Sequence, residues 1–176
     1  MNGIASSLKD ATSAKHRAAE QCAFNQRMFN GELTPGEYAL YLVQMRAVFE
    51  ALEERPLPHP ALNRVESLAA DLKELHDKGV PDSTVLASAQ AYADHVRATE
   101  AEHHLAHVYL NYLALMFGGQ IIKQRVPSAG AFYAFNDTRE AMAAIRSVQQ
   151  DAWADEVNRG FDFHIAIYEE LQSATS

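Results

Sequence analysis

A histidine and a glutamate lie four residues apart near the start of the chain, at His16 and Glu20. On a helix this spacing brings the side chains together, so the carboxylate can accept a proton from one imidazole nitrogen. The other nitrogen is then left as a neutral ligand of fixed tautomer, as is typical of metal-bound histidine. The same spacing is also compatible with a simple hydrogen bond on the protein surface.

A second group of histidines lies in the segment E-H-H-L-A-H, residues 102–107, where His103 and His107 are one helical turn apart. This spacing could hold a metal ion on one helix face. A di-metal site in a helical bundle, however, needs carboxylates from facing helices and a repeated Glu-x-x-His motif. Only Glu100 to His103 supplies such a motif. The sequence therefore favours a partly exposed helix face, with His107 packed against the interior.

Two adjacent glycines, Gly118 and Gly119, lie in an apolar run that otherwise favours a helix, Y-L-A-L-M-F-G-G-Q-I-I-K-Q at residues 112–124. Each glycine inside a helix costs about 1 kcal/mol relative to alanine. The pair predicts either a close contact with another backbone or a helix that bends over something flat. Combined with a histidine that can ligate iron, the bare backbone would suit a flat macrocycle held between two helices.

Other chemistry has little support in the sequence. Cys22 is the only cysteine, which excludes an internal disulfide and fits a reducing compartment. The chain lacks a Gly-x-Ser-x-Gly motif and a glycine loop that would cradle phosphate. With 23 acidic and 15 basic side chains, the net charge of −8 argues against a nucleic-acid partner.

Hydropathy predicts no association with a membrane. The longest apolar stretch, around residues 105–122, is interrupted by polar residues and glycines and is too short to span a bilayer. The first ten residues, M-N-G-I-A-S-S-L-K-D, do not resemble a secretory signal. We therefore expect a cytoplasmic protein.

Helical periodicity dominates the chain and predicts an all-α domain of about seven helices over residues 1–176. The clearest helix begins at T-P-G-E, where Thr34 can cap, Pro35 suits the first turn and Glu37 can complete a capping box. It ends before the P-L-P-H-P segment at residues 56–60. The other helices are predicted from Ser7 to about Cys22 and at about 63–77, 82–99, 101–125, 137–151 and 154–173, with Gly160 able to bend or divide the last one.

Four segments resemble the haem oxygenase family, in the family's order. The first helix is similar at L-K-D-A-T-S-A-K-H-R-A-A-E, and the second at T-P-G-E-Y-A-L-Y-L and A-L-E-E. H-V-Y-L-N-Y-L-A-L-M-F-G-G-Q resembles the distal helix, and F-D-F-H-I-A-I-Y-E-E-L-Q resembles the last helix. The similarity covers most of the chain and is weakest at about residues 56–98. It implies a compact haem-oxygenase-like bundle.

The resemblance implies a reaction in which haem is both substrate and prosthetic group. O2 and electrons from an external reductase or ferredoxin open the ring and release biliverdin, carbon monoxide and ferrous iron. His16 would be the iron ligand, with Glu20 as its partner. The distal helix would contribute Gly118 and Gly119, the haem propionates would meet Lys9, Tyr109 and Arg146, and Phe161 would also contact the cofactor. Cations and a phenol suit the propionates because carboxylates accept charge-assisted hydrogen bonds.

Two of the positions at which the distal helix departs from the family pattern matter for the chemistry. The common pattern is Leu-Gly-Asp-Leu-Ser-Gly-Gly-Gln, whereas this chain has Ala114 in place of the first glycine and Leu115 in place of the aspartate. In the family, that aspartate organises distal water and helps to deliver a proton. Its replacement implies another water network, slow turnover, or a protein that only binds haem.

Two alternatives to a haem oxygenase therefore stay open. One is a non-enzymatic haem-binding protein for storage, transfer or sensing, which the Leu115 replacement supports. The other is a different enzyme on a similar helical scaffold, such as a TenA-like thiamin hydrolase. That enzyme would need a cysteine and a pair of glutamates in its pocket, and by resemblance Cys22 lies in the wrong helix.

Overall fold

The computed structural model describes residues 7–176, and this part of the chain contains nine α-helices and no β-strand. The predicted all-α class is confirmed, whereas the expected number of about seven helices is too low. The helices are α1 Leu8–Glu20, α2 Ala23–Phe29, α3 Pro35–Glu53, α4 Val65–Asp77, α5 Ala87–Ala98, α6 Ala101–Met116, α7 Gly119–Ile122, α8 Thr138–Val148 and α9 Ala154–Ala174. Short 3-10 turns lie at Pro60–Leu62, Ala131–Tyr133 and Asp151–Trp153.

Two predicted helix starts, at Ser7 and Thr34, are confirmed by their caps, whereas the helix predicted from residue 82 begins only at Ala87. The Ser7 hydroxyl accepts a hydrogen bond from the Asp10 amide at 3.2 Å and begins α1. At the start of α3, the Thr34 hydroxyl accepts from the Glu37 amide at 3.1 Å, and the Glu37 carboxylate accepts from the Thr34 amide at 3.0 Å. Residues 1–6 of the segment examined for a secretory signal lie outside the described residues.

One helix was not predicted, and one predicted helix is replaced by a pair. The first predicted helix is found as α1, which ends at Glu20, and the unpredicted α2 follows it with its buried Phe24 and Met28 one turn apart. The helix predicted over residues 101–125 ends at Met116, since Phe117 has φ −100° and ψ −92° and leaves the helical conformation. The chain becomes helical again at Gly119, so the glycine pair marks a break rather than a gentle bend.

Gly160 does not divide the last helix, because α9 is continuous from Ala154 to Ala174. Gly160 instead allows α9 to approach its neighbours closely. A Cβ atom at this position would lie 2.5 Å from Leu110 Cδ2 and 3.1 Å from both His107 Nδ1 and Tyr92 Oη. These distances are shorter than ordinary van der Waals contacts, so a side chain here would force α5, α6 and α9 apart.

Helix α9 supports both α1 and α6. On the α1 side, Asn158 Nδ2 donates to the Ala11 carbonyl at 3.2 Å, and Lys15 pairs with Asp162 at 2.7 Å. On the α6 side, Glu156 contacts His107, and His164 contacts Asn111. In both pairs of helices, residue numbers increase in the same direction on α9 and on its partner helix. Helices α1 and α6 therefore both run parallel to α9.

The α1 and α6 helices meet at one end of α9 and separate beyond it. At the meeting point, Leu8, Ala106, Leu110, Trp153 and Val157 form a small buried cluster. The Leu8 amide also donates to Asp151 Oδ1 at 2.9 Å, which anchors the start of α1. Within residues 7–176, none of these helices has both the length and the apolar character needed to cross a bilayer.

Candidate functional site between α1 and α6

Helix α9 forms the floor of the surface between α1 and α6. In α9, Asn158 and Asp162 face α1, whereas Gly160 and His164 face α6. Successive helix residues are rotated by about 100°, so Phe161 lies between these two faces. We call this surface the α1–α6 cleft and define it by His16, Phe161, Ala114, Phe117, Gly118 and Ile121, all of which are exposed or half-buried.

On the α1 side of the cleft, His16 is paired and accessible. Its Nε2 lies 2.9 Å from Glu20 Oε1, and 59% of its side chain is exposed. The imidazole stacks on Phe161, with ring centroids 5.3 Å apart and an interplanar angle of 17°. The structure therefore brings three of the predicted site residues together and orients an imidazole on the flank of α1 beside the floor of the cleft.

On the opposite side, α6 and α7 present a surface with little side-chain relief. Ala114 near the end of α6, Phe117 and Gly118 at the break, and Ile121 in α7 are all exposed. A Cβ atom at Gly118 would have only one atom within 4 Å, the Ala114 carbonyl oxygen at 4.0 Å. The first glycine of the pair therefore leaves backbone open to the cleft.

Gly119 and Leu115 point elsewhere. A Cβ atom on Gly119 would lie 2.7 Å from Tyr133 Cδ1, so this glycine permits tight packing against the core. Leu115 is only 6% exposed and belongs to the main hydrophobic cluster. Leu115 therefore faces the interior, and the neighbouring Ala114 faces the cleft.

Two of the three predicted propionate-binding residues lie close together. Tyr109 packs against the Leu8 cluster. Burial raises the pKa of Tyr109, and the nearby Arg146 guanidinium partly opposes this shift. Arg146 also lies 5.8 Å from the centroid of the Phe117 ring. A phenol and a cation thus border the apolar surface, and Lys9 is exposed in the first turn of α1.

A buried polar network lies beside the cleft. Of its members, only His107 was predicted from the sequence, as a residue packed against the interior. That expectation is confirmed, since His107 is 0% exposed, whereas His103 is exposed. The network joins α5, α6 and α9 through Tyr92, His95, His107, Asn111, Glu156 and His164. Asn111 was the available signal, because an amide within an apolar helical run must find a partner when it is buried.

The hydrogen bonds of this network have a defined direction. Asn111 Nδ2 lies 2.8 Å from the His107 carbonyl oxygen, which can only accept, so this atom is the amide nitrogen. It also donates to Tyr92 Oη at 2.9 Å, and the Tyr92 hydroxyl then donates to His107 Nδ1 at 2.8 Å. His107 must therefore carry its proton on Nε2, which donates to Glu156 Oε1 at 2.8 Å.

The other end of the network is fixed by the same reasoning. Asn111 Oδ1 accepts from His164 Nε2 at 2.7 Å, so His164 carries its proton on Nε2 and a lone pair on Nδ1. Nδ1 is buried and has no hydrogen-bond partner among residues 7–176. Burial lowers the pKa of His164 to about 4, which keeps the ring neutral near pH 7.

His95, His107 and Glu156 also resemble a metal site, because their ligand atoms lie within 4.8 Å of one another. However, the His107 Nε2 proton is already committed to Glu156. Burial alone would raise the pKa of Glu156, but hydrogen bonds from His95 and His107 outweigh it and lower the pKa. The three side chains are therefore satisfied as a hydrogen-bonded group without a metal.

Comparison with known proteins agrees with this geometry. The sequence profile of the family described as "Heme oxygenase" matches residues 2–170. "Heme oxygenase 1" of Synechocystis sp. is 29% identical over 203 aligned residues, covering 96% of this chain and 85% of that protein. "Heme oxygenase" of Guillardia theta is 28% identical and covers 81% of this chain and 70% of its own length.

Solved structures give the same result. The crystal structure of heme oxygenase-1 from the cyanobacterium Synechocystis sp. in complex with heme superposes with a TM-score of 0.80 at 26% identity, covering 95% of this chain and 91% of that one. Heme oxygenase from Leptospira interrogans superposes with a TM-score of 0.79 at 26% identity, covering 93% and 97%. Since the family profile spans nearly the whole chain, this protein belongs to the haem oxygenase family.

Proposed function

We propose that the protein is a haem oxygenase that opens the haem ring to biliverdin, carbon monoxide and ferrous iron, using O2 and external electrons. The observation that supports this most directly is the pairing of two surfaces. An accessible His16, oriented by Glu20, lies on one side of the cleft, and the open backbone at Gly118 lies on the other.

The residues of the cleft fit a haem molecule. Ala114, Phe117 and Ile121 offer an apolar face to a flat ring, and Gly118 adds no side chain that would hold the ring away. Tyr109 lies near Arg146, and together with the exposed Lys9 these residues would suit the propionates, because carboxylates accept charge-assisted hydrogen bonds. Bound haem would supply the iron that activates O2 and the ring that is oxidised.

Each group of the chain has a separate task in this reaction. His16 would bind the iron through the ring nitrogen that Glu20 does not engage, while Glu20 accepts a hydrogen bond from Nε2 and thereby fixes the tautomer. Phe161 stacks on the imidazole and limits its rotation. The apolar stripe on α6 and α7 excludes bulk water from one face of the ring, which strengthens the remaining polar interactions.

The electron donor and the location are part of the same proposal. We expect an external reductase or ferredoxin as the donor, in the cytoplasm, and one domain formed by residues 1–176. The single cysteine supports this location, since reducing compartments do not favour disulfides.

Haem titration of the purified protein tests the proposal. The wild-type protein should develop a histidine-ligated Soret band, and His16→Ala should abolish that band because the iron ligand is gone. His103→Ala is the matched control, since it removes an exposed histidine from the start of α6. An unchanged band in His16→Ala would show that another histidine is the ligand.

A second measurement separates the enzyme from a protein that only binds haem. The haem-loaded protein is given ascorbate or a ferredoxin system in air. Decay of the Soret band with the appearance of biliverdin absorption is expected for the oxygenase. A stable band would favour the non-enzymatic alternative that the buried Leu115 raised, and a protein that binds no haem would favour a different enzyme on this scaffold.

A further inference from the structure

We propose that His164 is a positioning residue for the reaction and that its Nδ1 holds a water molecule at the junction of α6 and α9. In this chain His164 would organise distal water, as the aspartate that Leu115 replaces does in the family. This inference rests on the proposed function. It concerns a residue and a hydrogen-bonded chain that the family's distal-helix pattern does not include.

The first argument is location. His164 follows Phe161 by one turn of α9 and precedes Tyr168, whose ring centroid lies 6.2 Å away. Its Nε2 contacts Asn111, which precedes the exposed Ala114 by one turn of α6. His164 therefore lies at the corner where the distal helix meets the floor of the cleft.

The second argument is the unpartnered acceptor. A buried acceptor that makes no hydrogen bond destabilises the folded protein, and such groups in native proteins usually have a functional or hydration partner. The Nδ1 atom of His164 is buried and has no partner among the described residues. A neutral imidazole lone pair in this position calls for a donor, and water is the smallest donor that can also hydrogen-bond onward to a ligand in the cleft.

The third argument is that the network prevents the tautomer from changing. Tyr92, His107 and Glu156 fix the orientation of the Asn111 amide, and Asn111 Oδ1 in turn requires the proton of His164 on Nε2. The Asn111 amide cannot relay a proton between its oxygen and its nitrogen. The chain therefore holds His164 as an acceptor, and it does not conduct protons from Glu156.

Leu115 makes this arrangement necessary. It is apolar and buried in the main core, so it can neither hold water nor supply a proton. Asn111, one turn before Leu115 on α6, and His164 on α9 are hydrogen-bonded polar groups in this part of the structure. The imidazole thus provides the fixed acceptor that orders water beside an otherwise apolar distal face.

The first test uses the protein without haem and needs no variant. Nitrogen-15 NMR of histidine-labelled wild-type protein at pH 7 should show His164 as a single tautomer with the proton on Nε2. A proton on Nδ1, or rapid exchange between the two tautomers, would overturn the proposal.

The second test compares variants after haem loading. His164→Phe keeps the ring volume and removes both nitrogens, whereas His164→Gln keeps a donor and an acceptor. In His164→Phe, the His16-dependent Soret band should persist, the pH midpoint of the ferric visible spectrum should move by about half a pH unit or more, and haem decay should slow about tenfold. His164→Gln should recover most of both values.

The control is His104→Phe. His104 is a buried histidine of α6 that hydrogen-bonds to the Leu52 carbonyl and does not belong to the network. This variant should leave the spectral midpoint unchanged even if stability falls. A wild-type protein without a His16-dependent band would end the proposed function itself. A normal band together with an unchanged midpoint and rate in His164→Phe would end only the inference about His164.

Discussion

A Cβ atom on Gly119 would lie 2.7 Å from Cδ1 of Tyr133, so the second glycine of the pair is a packing residue. Tyr133 is 1% exposed, and its carbonyl accepts a hydrogen bond from Gln120 Nε2 at 2.8 Å. Helix α7 therefore packs directly against Tyr133. This contact sets the direction in which the chain continues after the break at Phe117.

Gly119→Ala should therefore destabilise the protein. The added methyl group must displace a buried aromatic ring, and overpacking of this kind typically costs 1–3 kcal/mol, so we expect a loss of about that size in the free energy of unfolding. Urea denaturation followed by circular dichroism measures the loss. A variant as stable as the wild type would mean that Tyr133 can move aside freely.

Gly118→Ala is the matched comparison, with the opposite outcome. Its methyl group meets open space, so stability should stay the same or rise by up to about 1 kcal/mol, because alanine loses less backbone entropy than glycine. Haem affinity should fall about tenfold, or about 1.4 kcal/mol, since the methyl group projects from the surface that the ring would cover. Wild-type affinity in a haem titration would show that the ring does not approach this part of the backbone.

The sequence offered two explanations for the glycine pair: close contact with another backbone, or a helix that bends over something flat. In the structure Gly119 packs against the Tyr133 side chain instead of a backbone, and Gly118 is exposed at a break in the helix, so a flat ring over Gly118 stays a prediction. Glycine spacing could predict an unusual backbone environment, but it could not tell which glycine faces Tyr133, a residue fourteen positions away. The helix break at Phe117 was missed for the same reason, since apolar periodicity continues through it. Local patterns were sufficient for the caps at Ser7 and Thr34, where all partners lie within one turn.

The buried network shows the limit of sequence reasoning more clearly. His16 and Glu20 could be paired in advance because they are neighbours on one helix. Tyr92, Asn111 and His164 come from three helices, and their contacts depend on how those helices pack around Gly160. No spacing along the chain reports such a contact.

Arg146→Ala should weaken haem binding and leave the fold intact. Arg146 is exposed and lies over Phe117, so its removal should change the free energy of unfolding by less than about 0.5 kcal/mol. The loss of a cation facing a carboxylate should lower haem affinity several-fold at low ionic strength, and less in high salt because salt screens exposed charges. Arg139→Ala is the control on the same helix, and an equal loss in both variants would indicate a general effect of charge.

The buried histidines predict how stability depends on pH. Burial lowers the pKa values of His107 and His164 to about 4, whereas the ordinary value is 6.5. Between these values the unfolded chain binds more protons than the folded protein, so stability present above about pH 6.5 is lost as the pH falls toward 4. Each histidine should contribute a slope of roughly 1 kcal/mol per pH unit.

Urea denaturation between pH 7 and pH 5 measures this slope. The whole range lies above the ordinary pKa of Glu156. The lowered pKa of Glu156 therefore adds to the loss of stability only in more acidic solution. Burial also lowers the pKa of His104, which acts in the same direction. His164→Gln should reduce the slope by about one proton, because its side chain does not titrate. A slope unchanged in His164→Gln would mean that His164 is not held neutral in the folded protein.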